Sequence, residues 1–77
     1  MYKVLIVFEK TKTGYSAYSP DLPGCIATGK TREETEKNMY SAIEMHVEGL
    51  IEDDLPIPKP NASSEYFVFK GFSEQPA

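Results

Sequence analysis

The twenty residues from Tyr15 to Glu34 constrain this chain more than any others, because they hold two short strand candidates, a tight turn and a helix start in succession. Within them, Leu22-Pro-Gly-Cys25 places proline at the second turn position, where its fixed φ fits, and glycine at the third, where a type II turn requires φ > 0. A sharp reversal is predicted there. Thr31-Arg-Glu-Glu34 then has the spacing of a capping box, in which the threonine oxygen accepts from the Glu34 backbone N–H and the Glu34 side chain reaches back to the N–H of Thr31. A helix is expected to begin at Thr31.

The flanking segments follow from periodicity. Tyr2 to Phe8 reads as a strand, its Val4–Phe8 an unbroken apolar run with three β-branched residues, the pattern of a strand interior to its sheet. Lys10 to Gly14 is a polar loop, with Gly14 expected in the left-handed position that closes a hairpin onto Tyr15–Ser19. Alternation in that second strand places Tyr15, Ala17 and Ser19 on one face. Cys25–Thr28 supplies a third strand, and Gly29 permits a close backbone approach before the helix. Beyond Thr31, Met39, Ala42, Ile43, His46, Val47 and Leu50 recur at three- and four-residue steps, which predicts one buried stripe of a long helix. Gly49 lies inside it at a cost of about 1 kcal/mol relative to alanine, a cost that close packing would offset. Pro56, Pro58 and Pro60 end the helix and form a stiff connector. Ser64–Phe72 is dense in aromatics and reads as the last strand, followed by a frayed end over 73–77.

The resulting order is β-β-β-α-β, an α+β chain. A helical crossover joins parallel strands, so the last strand should lie beside the first, giving a mixed four-stranded sheet in the order 3-2-1-4 with one long helix on one face. Residues 1–72 then form a single domain. At this size a core only just outweighs chain entropy, and a homo-oligomer, dimer or tetramer, or a complex is expected.

Charge and composition narrow the function. Eight Lys and Arg against twelve Asp and Glu give a formal charge of −4, whereas a self-sufficient nucleic-acid binder carries a basic patch. Direct nucleic-acid binding is therefore disfavoured. One cysteine cannot form an internal disulfide, and no apolar run is long enough for a signal peptide or membrane span, so a cytoplasmic protein is expected.

Catalytic constellations are sparse. The topology is that of the first half of an RNase H-like fold, whose two-metal chemistry needs carboxylates on the first strand, helix and fourth strand. Here Val4–Phe8 has no acid, Glu9 stands only at the strand's end, and Glu65 precedes the last strand. Cys25 and His46 are the sole Cys and His; the thiol reads as a small buried hydrophobe and the imidazole as a residue of the helical stripe. Together they cannot fill a tetrahedral zinc site, and no phosphate-loop spacing occurs. No enzymatic activity, metal or cofactor is expected.

The charge that stands out is acidic. Glu44, Glu48 and Glu52 are four apart along one helix edge, and Asp53 and Asp54 continue past its C-terminus, where the helix dipole already disfavours carboxylates. Such an edge is either simply solvated or a docking surface for a basic partner. Asp21 suits a side-chain cap of the turn, with Leu22 and Pro23 at its tip.

Tyr18 to Glu34, Ala42 to Leu50 and Pro56-Ile-Pro58, in this order and spacing, resemble the HicB-type antitoxin family over nearly the whole chain. The resemblance implies a partial RNase H-like fold without activity of its own. It also implies a partner, a small basic HicA-like toxin that cleaves RNA, neutralised as the antitoxin of a type II toxin–antitoxin system. Many members carry a C-terminal DNA-binding domain that represses their operon, and none is expected within these residues. On this reading the contact residues would be Asp21, Leu22 and Pro23 at the turn and Glu44, Glu48 and Glu52 on the helix edge. The rival readings are a stand-alone oligomerisation module and a degenerate RNase H-like hydrolase.

Overall fold

The computed structural model describes residues 1–72. Three short strands, β1 (Val7–Lys10), β2 (Tyr15–Tyr18) and β3 (Ile26–Gly29), form an antiparallel meander in the order β1-β2-β3, and one helix, α1 (Arg32–Glu52), follows. Phe8, Ala17 and Ala27 stand in register across the sheet. They belong to the face that packs on the core. Val7, Tyr18 and Ile26 form the next row, on the opposite face, where Tyr18 and Ile26 are exposed.

The predicted turn is present. The Cys25 N–H donates to the Leu22 carbonyl at 3.2 Å, and Gly24 takes φ = 82°, the sign a type II turn demands at its third position. The reversal sends Leu22 and Cys25 inward, where they meet Ala17 and Met39 in a small core with Leu22 completely buried. Helix α1 lies across β3 and β2. Its start is set by Thr31, whose Oγ1 accepts from the Glu34 N–H at 3.0 Å, and Thr35 Oγ1 donates back to the Thr31 carbonyl at 2.8 Å. Fully buried Thr35 sits directly on Gly29, where an added Cβ would fall 2.6 Å from Thr35 Oγ1 and 2.7 Å from its backbone nitrogen. Asn38 fastens the helix to the sheet through its side-chain N–H and the Thr28 carbonyl, 2.8 Å away. The Arg32 guanidinium stacks over the Phe8 ring at 4.4 Å.

The helix stops before the prolines. Leu55 N–H donates to the Leu50 carbonyl at 2.8 Å and Asp54 N–H to that of Ile51 at 3.1 Å, the paired bonds of a Schellman motif, with Asp54 left-handed at φ = 55°. Aspartate tolerates this conformation because its short polar side chain bonds locally.

Four expectations are corrected. The first strand, read as Tyr2–Phe8 and interior, is paired only over Val7–Lys10 and lies at the sheet edge, since only β2 adjoins it. Residues 64–72 form no ladder among the described residues, so the sheet has three strands rather than the order 3-2-1-4. The segment is tied at its start, where the Asp21 carboxylate accepts from the Asn61 and Ala62 N–H groups at 3.1 and 3.2 Å. From there it runs beside the chain before and within β1 in the parallel sense. Lys3–Leu5 share the lining of a cleft of about 390 Å³ with Pro60, Ala62, Ser63 and Ser64, and Ile6, Val7, Phe8 and Lys10 share one of about 580 Å³ with Ser64, Glu65 and Tyr66. Gly14 is not left-handed; its loop closes through Thr11, whose N–H donates to the Gly14 carbonyl at 2.8 Å and whose Oγ1 accepts from the Gly14 N–H at 3.1 Å. Finally, Gly49 faces open space rather than close packing. The end expected to fray, 73–77, lies outside the described residues.

The two glycines therefore respond oppositely to alanine. Gly29→Ala forces its methyl onto the Thr35 backbone and should cost about 2 kcal/mol, whereas Gly49→Ala removes a flexible residue from a helix interior and should add about 1 kcal/mol. Urea unfolding midpoints of the two variants, displaced in opposite directions from the parent, check both values.

Candidate partner-binding surface

The side chains that the sequence nominates fall into two groups. At the turn, Leu22 is 0 % exposed and contributes to the core, while Pro23 is exposed at the tip. Asp21 is half-buried, and instead of capping its own turn it holds the backbone of Asn61 and Ala62. This carboxylate joins the β2–β3 turn to the chain that returns from the helix. Near it, the Tyr2 hydroxyl donates to the Pro58 carbonyl at 2.8 Å, so both ends of the proline-rich connector's return path are fastened.

On the helix, Glu44, Glu48 and Glu52 are all exposed. Glu44 and Glu48, with Lys3, border a groove of about 620 Å³ between α1 and the residues preceding β1, lined otherwise by Tyr2, Val4, Ile6, Tyr40, Ile43 and Val47 and by Met1. The turn residues are not among those that line this groove. Sequence reasoning missed the groove. Its signal was the spacing of Tyr40, Ile43 and Val47, a stripe displaced from Met39 by one position and left uncovered because α1 packs chiefly over β3 and β2.

Cys25 and His46 stand in different settings. Cys25 is buried among Ala17, Leu22 and Met39, and desolvation pushes its thiol above the ordinary value of 9.0. A buried thiol held protonated is a poor nucleophile. His46 is half-buried on the helix. Among the described residues, no three His, Cys, Asp or Glu side chains converge as a metal site would need, and no helix is long and apolar enough to cross a membrane.

These features define a small α+β protein whose prominent surface is an apolar groove bordered by carboxylates. The family described as HicB_like antitoxin of bacterial toxin-antitoxin system matches residues 2–75, and the chain belongs to that family. A 14.9 kDa protein from the rep-hol intergenic region of Haemophilus phage HP1 is 43 % identical over 61 residues, which are 79 % of this chain and 46 % of the phage protein. A UPF0150 protein of Synechocystis is 40 % identical, over 77 % of this chain and 76 % of its own length. Antitoxin HicB 2 of Photorhabdus laumondii is 33 % identical, over 82 % of this chain and 45 % of its own length. The chain thus spans less than half the length of the phage protein and the Photorhabdus antitoxin. A chain in a solved structure titled as the HicA3 and HicB3 toxin-antitoxin complex superposes with a TM-score of 0.62 at 32 % identity, over 77 % of this chain and 72 % of that one.

Two measurements test this geometry. Asp21→Ala should release Asn61 and Ala62, costing about 1 kcal/mol and accelerating hydrogen exchange at those two amides above all others. For Cys25, the unfolded thiol ionises above 9.0 while the folded one stays protonated, so its contribution is complete below that pH and is lost as pH rises through the elevated folded value. The fall in urea midpoint between about pH 8 and about pH 10 should be smaller in Cys25→Ala than in the parent.

Proposed function

We propose that this chain is the antitoxin of a type II toxin–antitoxin pair, and that it binds and neutralises a small, basic, HicA-like toxin that cleaves RNA. The observation that carries the reading is the likeness, at 32 % identity and a TM-score of 0.62, to a chain of a complex titled as HicA3 with HicB3. Its mechanism is occlusion. A ribonuclease must present positive charge to phosphates, and a chain of formal charge −4 with an acidic helix edge offers a competing surface. Glu44, Glu48 and Glu52 supply that edge, and the apolar floor beside Glu44 and Glu48 supplies desolvated contact where a charged rim alone would hold weakly. Asp21, Leu22 and Pro23 form the second contact element, Pro23 touching the partner while Asp21 and buried Leu22 hold the turn beneath it.

The chain acts by binding rather than chemistry, in the cytoplasm, and without contacting nucleic acid itself. In the working assembly, a homo-oligomer, residues 64–72 take the fourth strand position on the free edge of β1, in the parallel sense in which they already run, and so complete the four-stranded sheet and the partial RNase H-like fold.

Replacing Glu44, Glu48 and Glu52 together by lysine should weaken toxin binding about tenfold or more, and the loss should shrink as salt is raised. Titration calorimetry with the purified toxin reads both effects. Unchanged affinity would remove the acidic edge from the interface.

A further inference from the structure

The aromatic segment is exposed to a degree that one copy of the chain does not explain. Tyr66 is 98 % exposed, Phe67 72 %, Val68 93 %, Phe69 63 % and Phe72 76 %. Three of these rings neighbour one another, Phe67 with Phe69 at 6.4 Å between centroids and Phe69 with Phe72 at 5.6 Å. A radius of gyration of 15.5 Å and a long axis of 52 Å also exceed what a compact chain of this length needs, about 11–12 Å for the radius.

Three vacant features match that segment. The outer edge of β1 pairs with no strand: residues 64–66 lie near it without a ladder, leaving its N–H and C=O groups available for one. Next to that edge lies the groove floored by Tyr2, Val4, Ile6, Tyr40, Ile43 and Val47. The sheet face away from the helix shows Tyr18 and Ile26 to solvent. A strand laid on β1 points alternate side chains to opposite faces. A run of consecutive apolar residues such as Tyr66 to Phe69 would therefore fill the groove with one set and extend the exposed apolar face with the other. The second set has nothing to cover it in a single copy.

We propose that two copies exchange this segment: residues 65–72 of each pair with the outer edge of β1 in the other, dropping alternate side chains into that copy's groove, and the paired sheets cover one another's exposed face. Asp21 holds the chain as far as Asn61 and Ala62, and Ser63 and Ser64, exposed and without side-chain partners among the described bonds, are the joint about which the unpaired segment swings from its own β1 to that of the other copy. The area suffices. Aromatic side chains bury about 150–250 Å² each, so two reciprocal segments exceed the roughly 1,000 Å² that a specific interface requires. The exchange identifies which chain supplies the fourth strand. It does not depend on a toxin.

The test uses the intact protein. Light scattering should give twice the 8.6 kDa chain mass. In an equimolar mixture of isotope-labelled and unlabelled protein, unfolded and refolded together, intermolecular NOEs should join the rings of Phe67 and Phe69 in one copy to the methyls of Val4, Ile6 or Ile43 in the other. Phe67→Ser with Phe69→Ser should raise the dimer dissociation constant about 30-fold or more while far-ultraviolet circular dichroism still shows the helix. A monomer, a dimer with those NOEs only within one copy, or a dimer joined through another surface would each overturn the exchange. Inhibition of the toxin is a separate readout, so failure of the exchange and failure of the antitoxin reading remain distinguishable.

Discussion

The fold depends on the burial of the β2–β3 turn beneath the helix. Leu22 at 0 % exposure and Met39 at 1 % meet there, with Ala17 and Cys25 closing the remaining space. Each large apolar side chain so buried contributes about 1.5–3 kcal/mol. With so few of them, the balance against chain entropy is narrow, and the polar fastenings at the margins matter in proportion. Thr31 at the helix start, Asn38 against Thr28 and Asp21 against Asn61 and Ala62 each hold a different element to this centre.

What was legible in the sequence was local. The turn at Leu22–Cys25 and the helix start at Thr31 follow from side-chain chemistry acting within four residues; the turn is present as read, and of the capping box the bond from the Glu34 N–H to Thr31 Oγ1 is present. The packed face of Ala17 and Ser19 was also legible, since strand alternation is a local rule. The burial of Leu22 was not, because a turn residue's exposure depends on what lies above it, here a helix laid across β3 and β2. The helix stop was legible in place but not in form: Asp53 and Asp54 stand at the C-terminus before the prolines, as read, but the closure needs a left-handed aspartate that no spacing advertises. Where strand pairing requires a partner distant in sequence, propensity was weakest. Tyr2–Phe8 and Ser64–Phe72 both have strand composition, yet pairing reaches only Val7 and Phe8 of the first and, among the described residues, none of the second.

Of the surface, the acidic edge could be read from the four-residue spacing of Glu44, Glu48 and Glu52, whereas the groove beside it could not. Its floor joins Tyr2, Val4 and Ile6 to Tyr40, Ile43 and Val47, residues about forty positions apart that meet only through the meander and the helix crossing. The two unsatisfied surfaces, charged edge and aromatic segment, ask for partners of different chemistry. A basic protein suits the first, and a second copy of the chain suits the second.

The central claim is that this chain silences a ribonuclease by binding it, and one titration tests that most directly. The partner retained by the tagged protein from extract of its native organism would be separated, freed of antitoxin and given an RNA substrate, and the purified chain added back in increasing ratio. The account predicts that the partner cleaves RNA and that cleavage falls to background near one equivalent. A partner without ribonuclease activity, or one that continues to cleave when fully bound, would contradict it.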